Sequence, residues 1–179
     1  GQNWDCIYDQ VDAVKYAYDS GHQIGSHTWA HLDLTTLSWD ENHNQFWLVE
    51  QAVLRITGAY VGMMRPPYGA YNDLVRAVAA NRGQYMITWD FDSLDSDGAS
   101  AAESKSLYDG LVSSHPSTVL ALNHETYQTR SVDVLPHAIS VLKGAGYNLV
   151  TVAECLGLEP YQWVGEPSTP DDTWYCDWS

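Results

Sequence analysis

The 179-residue chain carries 23 acidic against 8 basic side chains, a formal net charge of −15. That balance excludes polyanions such as nucleic acid as partners and favours a neutral or cationic ligand. No apolar run is long enough to span a membrane, and the length suffices for one domain with a sizeable core.

Taken in chain order, the pattern alternates between helix and strand. Residues 9–20 read as a helix with Val11, Val14 and Tyr18 on one face and Gly21 as its stop. A short strand over 23–26 runs into His27. Ser38-Trp39-Asp40-Glu41 is a capping box, and the helix it opens carries Phe46, Val49, Val53 and Ile56 on its buried face and ends at Gly58. A strand over 61–64 ends on Arg65-Pro66-Pro67. Asn72 caps a helix to about residue 81. A strand over 85–89 leads into Asp90-Phe91-Asp92, and a helix spans 101–113. A strand over 118–122 ends at Asn123-His124. A helix over 134–143 and a strand over 147–152 follow. The tail over 159–179, rich in Pro, Trp and Asp, is expected to wrap the surface of the domain formed by residues 1–158.

Five strands separated by helices imply a parallel sheet. Four of them end in chemically capable residues: His27 and His31, Arg65, Asp92 and Asp95, and His124. In a parallel barrel all strand C-termini lie on one face, where active sites sit. Five strands are few to close a barrel, so one or two more are expected upstream. The opening Gly1-Gln2-Asn3, with neither Met nor a signal peptide, reads as processed or truncated.

Each station admits a functional and a plain reading. His27 and His31 fit a zinc site presented by a turn, with the Thr28 hydroxyl bracing it; the plain reading is two loop histidines. The motif is not a zincin helix, because Thr28 stands where that motif has Glu. Arg65 could hold a carboxylate as a bidentate pair or sit in a surface ion pair. The two prolines after it donate no N–H, so the Tyr68 amide is the first donor available for an oxyanion. Asp92, Asp95 and their acidic neighbours are either a solvated loop or partners of a histidine. A carboxylate beside an imidazole favours its protonated form, which a general acid requires. His124 follows an apolar strand and faces a site or is a satisfied structural histidine. His22, His43, His115 and His137 read as surface residues. Cys6, Cys155 and Cys176 are too scattered for a cysteine-rich metal site and allow one disulfide with one thiol left over.

In this order the four stations resemble the carbohydrate esterase family 4, or NodB-type, polysaccharide deacetylases, over nearly the whole chain. Within that family the fungal chitin deacetylases resemble the chain most. His27-Thr28-Trp29-Ala30-His31 matches H-[ST]-x-x-H and Arg65-Pro66-Pro67-Tyr68-Gly69 matches R-P-P-Y-G. Asp92-Ser93-Leu94-Asp95 matches the start of D-x-x-D-W, and Leu122-Asn123-His124 matches L-x-H.

The resemblance implies an α/β fold, a distorted (β/α) barrel here lacking its first strands. It implies zinc, or another divalent cation such as cobalt, on His27 and His31, with an Asp from absent N-terminal sequence as third protein ligand. The reaction it implies is hydrolysis of N-acetyl groups on chitin or chitooligosaccharides, with acetylxylan and peptidoglycan as alternative polymers. His124 would be the general acid, tuned by Asp95. Arg65 would orient the base, Tyr68 would donate to the oxyanion, and Leu122 would line the acetyl pocket. Trp29, Tyr68 and Tyr71 would be the sugar-stacking rings nearest the site. The family's T-F-D-D-G motif, source of the base and third ligand, has no match here, and Ser96 stands where the family usually carries Trp. The chain is therefore expected to be an incomplete, weakly active or inactive portion, or a non-catalytic carbohydrate-binding fragment. A retained N-terminal fragment would be its partner, and its location secreted or in the cell wall. In similar fungal enzymes a cysteine at Cys155 pairs with one ahead of the first motif, which leaves Cys6 with Cys176 as the expected bridge.

Overall fold

The structure, a computed structural model, describes residues 1–126 and 128–176. The end of the expected tail, residues 177–179, lies outside the described residues. The chain divides into two compact units, a larger one of Gly1–Thr88 and Thr151–Ser179 and a smaller one of Trp89–Val150.

In the larger unit a 3-10 turn over Ile7–Gln10 runs into helix α1 (Val11–Asp19). Helix α2 (Trp39–Thr57) begins with the expected capping box: Ser38 Oγ accepts from the Glu41 amide, and the Glu41 carboxylate accepts from the Ser38 amide. It stops at Gly58, whose φ of 78° suits a residue without Cβ. Its apolar stripe makes the core: Phe46 packs with Leu34, Met64, Val75 and Val78, and Val49, Ala52 and Val53 pack with Trp29 and Val61. Removing each large side chain of this kind from water stabilises the fold by about 1.5–3 kcal/mol. Strand β1 (Ala59–Val61) is followed by β2 (Met63–Met64), helix α3 (Asp73–Asn81) and β3 (Tyr85–Met86). β2 and β3 pair in parallel. The expected strand over 23–26 is reduced to one parallel bridge, Ser26 to Met64. It is nonetheless part of the ladder, since the Ser26 amide donates to Met63 O and the Arg65 amide donates to Ser26 O. Gly25 fits here because a Cβ would lie 3.2 Å from Met63 O.

The smaller unit holds β4 (Phe91–Asp92), helix α4 (Ala101–Ser114), β5 (Ala121–Leu122) and helix α5 (Gln128–Gly144). β4 and β5 are parallel, and Tyr108, Val134 and Ala138 form the core between the two helices. The strand expected over 85–89 and its continuation are thus divided, β3 belonging to the larger unit and β4 to the smaller.

Two expectations are corrected. Residues 147–150 form no strand, because Thr151 and Glu154 close a capping box that starts helix α6 (Val152–Leu156). The tail is not merely a surface wrap: strand β6 (Tyr161–Val164) pairs antiparallel with β1. Among the described residues the strands pair two by two, β1 with β6, β2 with β3 and β4 with β5, the last two pairs in parallel, in a mixed α/β fold. Cys6 and Cys176 form a disulfide, and Cys155 is an exposed thiol. Among the described residues no helix is long and apolar enough to cross a membrane.

Candidate functional site

In the larger unit, His27 and Arg65 follow Ser26 and Met64, which are paired in parallel, so both leave the ladder at its C-terminal end. His27 Nδ1 lies 2.7 Å from Arg65 O. A carbonyl can only accept, so Nδ1 carries the proton and Nε2 the lone pair of the neutral ring. The turn from His27 to His31 uses two left-handed residues, Thr28 (φ 68°) and His31 (φ 54°). Such conformations cost of order 1–3 kcal/mol each and persist where the surroundings hold them. Here Thr28 Oγ1 accepts from the His31 amide at 3.1 Å, Ser26 Oγ accepts from the Thr28 amide, and Gln45 Oε1 accepts from the Ala30 amide. The result is two imidazoles with ring centroids 4.8 Å apart, edge to face.

Tyr68 completes this cluster. Its φ of 59° turns the chain after Pro66 and Pro67, its ring sits edge-on to His31 at 4.8 Å, and its hydroxyl donates to His31 O. The ring is 69% exposed, and Tyr71 is exposed as well. Burial draws the Arg65 guanidinium below its ordinary pKa. Trp29 departs from expectation. It is 6% exposed, packed against Tyr8 and the α2 stripe, and offers no face for stacking a sugar.

In the smaller unit the parallel β4–β5 pair places the other two stations side by side. Asp95 is buried, and both its oxygens serve His124: Oδ2 accepts from the His124 amide at 2.6 Å and Oδ1 from Nδ1 at 2.7 Å. The loop that delivers Asp95 is fixed from several sides. Ser93 is buried, with its amide and hydroxyl both donating to Leu122 O, while Ser104 donates to Ser93 O. Asp92 Oδ1 accepts from the Leu94 amide. Leu122 is buried in β5 and Ser96 is exposed.

Of the other histidines, His137 pairs with Asp109 and His115 caps α4 in a left-handed conformation. His43 is not a plain surface residue: it stacks on Trp39 and accepts from Arg82 Nη1. Arg82 in turn pairs with Glu50, which is fully buried on α2 and also accepts from Gln84 and Tyr60. Glu50 went unread in the sequence, although its place four residues after Phe46, on the apolar stripe, marked it.

The donor set of the larger unit fits a divalent cation, since two imidazoles stand with centroids 4.8 Å apart and that of His27 has its tautomer fixed by a carbonyl. Among the described residues no group of three or more His, Cys, Asp or Glu side chains gathers in metal-binding array.

The sequence profile described as polysaccharide deacetylase matches residues 2–87. A chitin deacetylase of Pestalotiopsis sp is 33% identical over 190 residues, covering 97% of this chain and 62% of the relative. A chitin deacetylase of Colletotrichum lindemuthianum is 31% identical over 170 residues, covering 91% and 68%. The solved structure of a chitin deacetylase from C. lindemuthianum superposes with a TM-score of 0.82 at 29% identity, covering 92% of this chain and 76% of that one. The chain belongs to the polysaccharide deacetylase family of mixed α/β fold, carbohydrate esterase family 4. It spans 62% of the length of the Pestalotiopsis relative.

Proposed function

We propose that this protein is a metal-dependent hydrolase that removes N-acetyl groups from chitin or chitooligosaccharides. The observation that carries the reading is the pair of hydrogen bonds that His124 donates to Asp95, at the end of a parallel strand pair. It supports an acid catalyst, because the carboxylate holds Nδ1–H and orients the ring so that Nε2 is the atom that hands on a proton.

His27 and His31 would hold the cation, zinc or another divalent ion such as cobalt. A cation bound there supplies Lewis acidity to an acetyl carbonyl and acidifies water. The Tyr68 amide, first after two prolines, serves as an oxyanion donor. Arg65 is the positioning residue for a carboxylate base. Leu122 lines the apolar space for the acetyl methyl, and the exposed Tyr68 and Tyr71 rings stack on sugar. When the C–N bond breaks, His124 Nε2 gives its proton to the departing amine, and Asp95 balances the charge of the doubly protonated ring. A location outside the cytosol is supported by the Cys6–Cys176 disulfide.

The test is acetate release by the purified protein from N-acetylated chitooligosaccharides, with and without zinc, compared with acetylxylan and peptidoglycan. Release from the chitin oligomers that a chelator abolishes and zinc restores supports the reading. Preference for either other polymer reassigns the substrate, and no release from any of the three with zinc present overturns the activity in favour of a non-catalytic carbohydrate-binding fragment.

A further inference from the structure

A second feature of the larger unit lies apart from the residues given roles above. Trp39, at the start of α2, is 40% exposed, and Trp163, on β6, is 51% exposed. Both rings are held by one unbroken run of contacts. Trp39 lies against His43 with centroids 4.7 Å apart, and His43 accepts from Arg82 Nη1. Arg82 Nε and Nη2 each donate to an oxygen of Glu50. Glu50 accepts from the Tyr60 hydroxyl at 2.7 Å, and Tyr60 stacks on Trp163, with planes 9° apart and centroids 5.5 Å apart. Gln162 ties β6 to the same place, donating to Arg82 O and Val61 O.

Removing an ion pair from water is expensive, and hydrophobic residues of similar volume often serve stability as well. A Glu–Arg pair with its carboxylate fully buried, reaching an exposed indole at either end, therefore does something that packing alone does not require. It fixes two large, flat, amphipathic rings at the surface, where they would otherwise lose rotamer freedom on binding a ligand.

We propose that Trp39 and Trp163 are stacking platforms of a polysaccharide-binding surface separate from the residues that act on the acetyl group, with Glu50 and Arg82 as its positioning pair. The occupant is a strand of uncharged N-acetylated polysaccharide; this rests on the proposed substrate class. Charge favours that occupant. Arg82 and Glu50 neutralise each other, so the run is locally neutral in a chain of formal charge −15, with Asp40 the nearby acid that acts on His43. A polyanion is repelled by the molecule as a whole, and a polycation finds no unpaired acid within the run.

The test is retention on insoluble chitin, which reads binding without turnover. Trp39→Ala/Trp163→Ala is expected to weaken retention about tenfold or more, while Trp163→Phe keeps a ring on Tyr60 and retains most of it. Acetate release from a soluble N-acetylated trimer is measured on the same variants and stays at the wild-type level if the protein is a deacetylase. Loss of retention in the double variant, with the wild-type melting temperature, supports the surface whether or not acetate is released, so failure of the activity is seen separately. Equal retention of wild type and double variant, or no retention of wild type, overturns it. So does a dimer that the double variant dissolves without changing retention, which gives the face to a second copy. If the double variant fails to fold, the single Trp39→Ala and Trp163→Ala variants decide by the same readout.

Discussion

Asp95 holds His124 by both the backbone and the ring: its two oxygens accept from the His124 amide and from Nδ1, at 2.6 and 2.7 Å. The residue that would transfer a proton is thus placed and oriented by one buried carboxylate.

Both donors of His124 need an acceptor. Asparagine at 95 offers one oxygen and turns an NH2 group against the other donor, so Asp95→Asn is expected to be nearly as damaging as Asp95→Ala. Each lowers kcat about 10²–10⁴-fold with little change in KM and destabilises the protein by about 1–3 kcal/mol. Steady-state acetate release and urea unfolding read the two effects; wild-type kcat in Asp95→Asn would contradict the role.

His27→Ala and His31→Ala each remove an imidazole and are expected to abolish zinc-stimulated acetate release and any calorimetric zinc signal. Thr28→Val leaves both rings but removes the oxygen that accepts from the His31 amide. Its zinc affinity should fall about 10–100-fold, the usual cost of losing outer support. Unchanged affinity in all three variants would place the metal elsewhere.

Glu50 is fully buried and Arg82 is partly buried. Removing one charge leaves the other uncompensated, so Glu50→Gln or Arg82→Met should each cost about 3–5 kcal/mol. The double variant is expected to cost clearly less than the sum, since the residues share one network. Urea midpoints of the four proteins close this cycle.

Burial raises the Tyr108 hydroxyl from 10.0 to about 12. In the unfolded chain it ionises first, so its contribution is complete below pH 10 and is lost as pH rises from 10 towards 12. Tyr108→Phe should flatten this alkaline loss, read as the difference in unfolding free energy between pH 9.5 and pH 11.5. An alkaline slope identical to wild type would mean that Tyr108 does not ionise on unfolding.

Helices were legible where a side chain announced their start. Ser38 with Glu41, and Asn72, put signals in the sequence that the structure uses directly. Strands were less so, since pairing is long-range and several strands here hold only two residues. The run over 147–152, β-branched at Val150, Thr151 and Val152, suggests a strand, yet Thr151-Val152-Ala153-Glu154 carries a competing capping box that wins. β6 reads as tail in the sequence because its partner, β1, lies about a hundred residues away. The placement of His27, Arg65, Asp95 and His124 was legible because each follows a short parallel segment. Trp29 misled, because an indole between two histidines reads as a platform, whereas the left-handed turn at Thr28 is accompanied by burial of that ring in the core.

The Cys6–Cys176 bridge joins residues 170 apart in sequence and makes almost the entire chain a covalent ring. A protease that cuts any loop inside that ring yields no smaller species, because the two pieces remain tied. Nicked protein would run as an intact chain on a denaturing gel until the sample is reduced, so integrity has to be judged with thiol added.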